Sequence, residues 1–425
     1  MAGSNVEILS PESFGALGNG IHDDSAALER TFAAATDTRG LVVLGGTYLV
    51  SRQLVIDGPI SIEGGGTILA APGIENSIGV RGTDSLLHFT ALATGSSIDG
   101  LSFDLAGQGR TALRIEAPDM SITNVTIKNY SKSVKADNRQ HSKSESGIRI
   151  SASNITLSQI KCHNMITLVR DAVPRCITIH GGADNLRLSA ISGSNINGGI
   201  TVGAATNVHV TDYDFRNLTD NGFYLLPNSS QFVAESGYMS NVNEAIVFKG
   251  NDATIRNLRI HNQEQGIGLE NASGVTLVDI TVTHDELLTT RPSFMRTRRG
   301  NKHSDNIVLE DILADIPLGG SVFNLAVGSV SDMSVSNATF YLVAGSGFRG
   351  AAYLLRQNSG FPPTITDTTF EFKGIHKGLV KSAILKAPDL TDAYMLQFRS
   401  SNDVKRDGTS VPLRQKPPKN RRPVQ

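Results

Sequence analysis

One short segment recurs six times between residues 146 and 271, and it restricts the chain to very few architectures. The copies are Ser146-Gly-Ile-Arg-Ile-Ser-Ala152, Arg175-Cys-Ile-Thr-Ile-His-Gly181, Gly198-Gly-Ile-Thr-Val-Gly-Ala204, Asn221-Gly-Phe-Tyr-Leu-Leu-Pro227, Glu244-Ala-Ile-Val-Phe-Lys-Gly250 and Gln265-Gly-Ile-Gly-Leu-Glu-Asn271. Their starts lie 29, 23, 23, 23 and 21 residues apart. Each copy carries large apolar residues at i and i+2, the period of a strand and not of a helix. A second alternating run follows most copies: Ile155-Thr-Leu157, Leu186-Arg-Leu188, Val208-His-Val210, Ile255-Arg-Asn-Leu258 and Val275-Thr-Leu277.

A strand-only repeat of this length marks a stacked solenoid. One coil alone cannot bury its apolar residues, whereas stacked coils bury a continuous ladder of Ile, Val, Leu and Phe. Leucine-rich repeats share the period, but their denser Leu spacing with a fixed Asn or Cys is missing. The expected fold is all-β, a right-handed parallel β-helix. The repeats run nearly end to end, so the 425 residues are read as one domain over 14–400, after a lead-in at 1–13. Residues 401–425 are a basic, Pro-rich tail; from 405 on they carry seven Lys or Arg against one Asp and are expected to be disordered. The formal net charge of −1 hides this asymmetry.

The first coil is preceded by Phe14-Gly15-Ala16, Gly18-Asn19-Gly20 and Asp23-Asp24-Ser25, then by Leu28, Phe32 and Ala35 at helical spacing. A carboxylate at 23 or 24 can accept the free N–H groups of a first helical turn. This predicts a short N-terminal helix covering the open end of the solenoid, with the aspartates in a structural role. With Gly45-Gly46-Thr47-Tyr48, this stretch resembles the opening of the pectate-lyase-like superfamily, in particular its glycoside-hydrolase-28-related, phage-tailspike-like group. The resemblance implies the β-helix, a polysaccharide partner, a homotrimer as one assembly and an extracellular or virion-associated location. The chain shows neither a long head-binding region before residue 14 nor an evident trimerisation domain after 400, which argues against a complete tailspike.

Asn154, Asn185 and Asn207 each follow the first strand of a coil and are expected to form a turn ladder, since Asn tolerates left-handed backbone. Cys162 and Cys176 are too few for a disulfide scaffold or a metal site and are read as buried free thiols. No apolar stretch reaches the roughly 18 residues of a membrane span. No signal-peptide pattern is visible, and neither nucleic acid nor membrane is an expected partner. Two apparent insertions, 131–145 with Lys132, Lys135, Arg139, His141 and Lys143, and 285–304 with Arg291, Arg296, Arg298, Arg299, Lys302 and His303, break the period on one edge. Their shared basic character points to an anionic ligand.

Alternation along the six segments puts Arg149, His180, Tyr224, Lys249 and Glu270 on an outer face, with Arg175 at the bend before its strand. These are the candidate substrate-binding residues. Acidic residues recur in the bend row at Asp220, Glu244 and Glu264. Successive coils would place Asp220 and Glu244 roughly 5–6 Å apart and Asp220 and Glu264 roughly 10 Å apart. Glycoside hydrolysis needs two such carboxylates, one to donate a proton and one to act as nucleophile or base. Asp220 and Glu244 are therefore the candidate pair, with Glu264 in reserve. In glycoside hydrolase family 28 the catalytic aspartates occupy this row, but its full motif set is absent, so pectin specificity is not carried over. The expected activity is cleavage of an extracellular or capsular, anionic polysaccharide. Two alternatives stay open: a uronate lyase or C5-epimerase using Arg175, His180, Tyr224 and Lys249, and a non-catalytic glycan-binding or tailspike-like structural protein. No cofactor is expected for hydrolysis; the lyase reading would admit calcium on Asp220, Glu244 and Glu264.

Overall fold

The computed structural model describes residues 7–74, 85–131, 146–167, 173–285, 293–297, 303–317, 321–325, 329–343, 352–357, 363–373, 383–386, 392–406, 409–410 and 413–415. They fall into two compact units, Met1–Asp220 and Asn221–Gln425.

In the first unit, parallel strands stack in three columns. Along the first sheet Leu54, Leu87, Leu113, Ile148, Ile177 and Ile200 stand in register on successive strands. The second sheet aligns Val42, Ile62, Ile98, Ile122, Leu157, Leu188 and Val210. The third aligns Tyr48, Ile68, Phe103, Ile127, Cys162, Gly193 and Phe215. Every apolar side chain on these rungs is nearly or wholly buried, as the ladder reading requires. The fold is thus the expected parallel β-helix.

The second unit repeats the scheme. Its first sheet aligns Ile267, Met295, Phe323 and Leu355, its second Ala234, Ile255, Leu277, Leu309, Val335 and Ile365, and its third Met239, Ile260, Val282, Ala314, Phe340, Phe370 and Val404. Rings of Phe294, Phe340, Phe370 and Phe398 follow one another at 5.3, 5.5 and 5.9 Å between centroids.

The corners explain how the chain turns so tightly. Asn154, Gln159 and Asn164 have φ of 59, 55 and 54°, and Asn185, Ala190 and Asn195 repeat this on the next coil. A left-handed residue therefore stands every five positions, and Asn pays least for that conformation. The expected Asn ladder is present: Asn185 Nδ2 donates to Asn154 Oδ1 at 2.8 Å, and Asn154 Nδ2 to Asp119 Oδ1 at 2.8 Å.

The predicted N-terminal helix is Ser25–Thr38, burying Ala27, Leu28, Phe32 and Ala35. Asp23 Oδ1 accepts the Ser25 N–H at 3.0 Å, while Asp24 accepts the Leu17 and Gly18 N–H groups of the Gly-rich turn at 2.8 and 3.1 Å. Tyr48 is fully buried and donates its hydroxyl to Glu12 Oε1 at 2.7 Å. The opening motif is therefore structural.

Three expectations are corrected. Cys162 and Cys176 form a disulfide, with Cα atoms 5.6 Å apart, and are not free thiols. Gly147 packs against them: a Cβ there would lie 2.7 Å from the Cys176 carbonyl oxygen and 3.4 Å from Cys162 Sγ. The chain beyond 400 is not wholly unstructured. Asn402–Arg406 pairs in parallel with 368–372, and Leu413–Gln415 with 383–385, because Val404 continues the apolar ladder; residues 416–425 lie outside the described residues. Lastly, 285–304 is not purely an insertion. Met295–Thr297 is the next strand of the first sheet, carrying Met295 inward.

Candidate functional site

In the first unit the outward side of the first sheet forms one track. His88, Arg114, Arg149, Thr178 and Thr201 stand in register on consecutive strands. One alternation further on come Glu116, Ser151, His180 and Gly203, whose N–H groups donate to Phe89, Ile115, Ile150 and Ile179 carbonyls respectively. Arg149 and His180 thus lie on the expected face. His88, Arg114 and Glu116 were not anticipated, although Ser85-Leu-Leu-His-Phe89 and Thr111-Ala-Leu-Arg-Ile115 show the same alternation.

Local charge tunes this track. Burial opposes ionisation of Glu116, but Arg114 and His88 (Nε2 to Oε2 3.0 Å) outweigh it and hold the carboxyl below its ordinary value. Burial, with Arg149 beside it, pushes His180 down to about 4, so its imidazole is neutral at neutral pH.

Arg175 opens the strand below His180 and is 8% exposed. Its guanidinium passes over Gly198, where a Cβ would fall 1.9 Å from Nη1, and Nη2 donates to Asp220 Oδ2 at 2.5 Å. Asp220 keeps 29% of its side chain exposed. Asn197 braces the same bend, accepting the Thr167 N–H at 2.7 Å and donating to Thr219 Oγ1 at 2.6 Å, while its carbonyl accepts the Asp220 N–H at 2.8 Å.

In the second unit Glu244 is 1% exposed. Arg296 Nη2 and Nε donate to its Oε1 at 2.5 and 3.2 Å, and Asn221 Nδ2 approaches Oε2 at 3.3 Å. Arg296 is the register partner of Gly268, and its Nη2 also donates to Gln265 Oε1. Glu264 is exposed. It does not stack on Glu244: Val247 pairs with Gly268, an offset that sets Glu264 on Asn243 and Glu244 on Gln265. Lys249 Nζ lies 2.8 Å from Glu270 Oε2 and 5.2 Å from the Tyr224 ring centroid. Burial opposes its charge, yet Glu270 and Tyr224 outweigh this and raise its pKa.

Of the basic loop residues, Arg296 and His303 are described; Lys132, Lys135, Arg139, His141, Lys143, Arg291, Arg298, Arg299 and Lys302 lie outside the described residues. Among the described residues no group of three or more His, Cys, Asp or Glu is placed to hold a metal ion. No described helix is long and apolar enough to cross a membrane.

No protein-family model matches the sequence, and no curated protein matches it. Solved structures share the fold at low identity. A family 28 exopolygalacturonase of Yersinia enterocolitica aligns with a TM-score of 0.58 at 12% identity, over 96% of this chain and 79% of that one. A tailspike protein of E. coli bacteriophage HK620 gives 0.58 at 10%, over 95% and 79%. PfbA, a surface adhesin of Streptococcus pneumoniae, gives 0.57 at 13%, over 86% and 92%.

Proposed function

We propose that the chain acts on an extracellular or capsular, anionic polysaccharide lying along the outward face of the first sheet in the first unit. One observation carries this: His88, Arg114 and Arg149 stand on consecutive rungs, with Thr178 and Thr201 continuing the track and the Arg175–Asp220 pair at its edge. Strand spacing repeats such groups every 4.8 Å or so, which suits a polymer with repeating polar units. Guanidinium groups suit carboxylates or phosphates; Arg149 offers one on this face, while Arg114 is paired with Glu116. The shared fold of a polygalacturonase, a tailspike and an adhesin supports a polysaccharide partner and a location outside the cell or on a virion. The Cys162–Cys176 disulfide supports the same location, since such bonds persist in oxidising surroundings.

The reaction proposed is glycoside hydrolysis, with Asp220 as an acid–base or nucleophilic carboxylate. Asp220 and Glu264 are open to a substrate; Glu244 is sealed beneath Arg296 and reaches one only if that ion pair opens. For lyase or epimerase chemistry Lys249 is a poor base, because Glu270 holds it charged, and the neutral His180 imidazole is the remaining candidate. Non-catalytic glycan binding is the second reading. It is favoured by the pairing of Asp220 and Glu244 with arginines in the unliganded chain.

A panel of acidic polysaccharides, followed for new reducing ends and for the ultraviolet absorbance of unsaturated uronates, separates the readings. Reducing ends alone mean hydrolysis. Both signals together mean elimination. Binding with neither means a lectin-like role. The absence of both cleavage and binding overturns the proposal.

A further inference from the structure

Two polar atoms on the track of the first unit are buried without a hydrogen-bond partner: His180 Nε2 and Thr201 Oγ1. Thr201 as a whole is only 7% exposed. An unsatisfied buried polar group is costly, so two of them on adjacent strands call for an explanation.

Their placement supplies one. Thr201 is the register partner of Thr178, and His180 lies two residues beyond Thr178 on the same outward side. Beside His180 on the next strand stands Gly203, whose N–H bonds the Ile179 carbonyl at 2.9 Å and which offers no side chain. Thr178 is engaged elsewhere, accepting from Ser146 Oγ at 2.5 Å. His180 and Thr201 thus flank a position, Gly203, that has no side chain to satisfy either atom.

Those atoms also define the ligand. A neutral imidazole and a threonine hydroxyl match uncharged hydroxyl groups, which donate and accept in turn. Neither atom carries charge, so the pair itself reads hydroxyls, and an anion would fall to Arg149 at the edge. Both atoms are buried, so a ligand reaches them only through a side-chain swing. Arg149, in register with Thr178 and part-exposed, is the long side chain at their edge.

We propose that His180 and Thr201 form a specificity subsite that reads two hydroxyls of an uncharged sugar residue. The polymer would then be mixed, with anionic residues along the arginines and a neutral residue at this rung. This rests on the polysaccharide reading above.

The test uses the full chain with histidine ring signals followed by NMR, the His180 signal being assigned from its loss in His180→Gln. The probes are the methyl glycosides of glucose, galactose, mannose, rhamnose and N-acetylglucosamine, beside those of glucuronate and galacturonate. At least one neutral glycoside should move the His180 signal. Thr201→Val, which keeps the side-chain shape, should weaken that glycoside about fivefold, the equivalent of one hydrogen bond. Raising salt should leave its affinity unchanged. A His180 signal moved by no neutral glycoside, moved only by the uronates, or unaffected by Thr201→Val overturns the subsite. If polysaccharide binding or cleavage survives in that case, only the subsite has failed. If it is absent in the wild type too, the parent reading has failed with it.

Discussion

Replacing Arg296 by Met tests whether Glu244 is a structural carboxylate. The substitution keeps most of the aliphatic stem and removes the charge. Contacts of 2.5 and 3.2 Å to Glu244 Oε1 would vanish, leaving a carboxylate that is 1% exposed with its opposite charge gone. At an effective dielectric of 20, an ion pair about 3 Å apart is worth about 5 kcal/mol of attraction before desolvation. Breaking a buried pair from one side costs about 3–5 kcal/mol. Arg296 keeps 26% of its side chain exposed, so screening puts the expected loss near the lower end, about 3 kcal/mol. The assay is amide hydrogen exchange over Ile267–Leu269 and Met295–Thr297, the strands that flank the pair. Exchange there should accelerate a little over 100-fold, about 3 kcal/mol of opening free energy. Adding Glu244→Gln should restore most of the protection, because a neutral amide no longer needs the guanidinium. A loss below about 1 kcal/mol in Arg296→Met, the size of an exposed pair, would refute the reasoning and return Glu244 to the catalytic candidates.

Asp220→Asn should cut reducing-end release by about 10²–10⁴-fold while polymer binding persists; an unchanged rate sinks its assigned role. Glu244→Gln alone should leave cleavage within about threefold of wild type, in keeping with its burial. His180 has a folded-state pKa near 4, below the unfolded value, so the unfolded chain binds more protons between about pH 6.5 and 4 and stability falls as pH drops through that window. His180→Gln should flatten part of that slope in acid denaturation, and an identical slope contradicts the assignment. Replacing Cys162 and Cys176 by Ser should cost about 3 kcal/mol for a closed loop of this length, read as faster exchange in Ile155–Met165 and Arg175–Ile179.

The ladder was legible because its signal is local: Ile148, Ile177 and Ile200 announce their faces by alternation alone, and the structure sets them in register. The N-terminal helix was legible for the same reason, from Leu28, Phe32 and Ala35 on one face. Less visible was anything that depends on coil offset. Coils of 23 and 21 residues shift the bend row, so Glu264 meets Asn243 and not Glu244. The disulfide was hidden because its halves sit on different sheets, a proximity that no local pattern reports. Arg296 looked like one more loop cation; its partner Glu244 lies on another coil, far away in sequence. The five-residue spacing of Asn154, Gln159 and Asn164 could have been read, since Asn recurs at that interval on several coils.

Hydroxyl-radical footprinting of the full chain with a bound acidic polysaccharide tests the central claim most directly. The account predicts protection of the outward first-sheet residues of the first unit that solvent reaches, including His88 and Arg149, with Lys128, Lys161 and His163 on the third sheet unprotected. Protection confined to that third-sheet group, or none in the presence of excess polysaccharide, would contradict it.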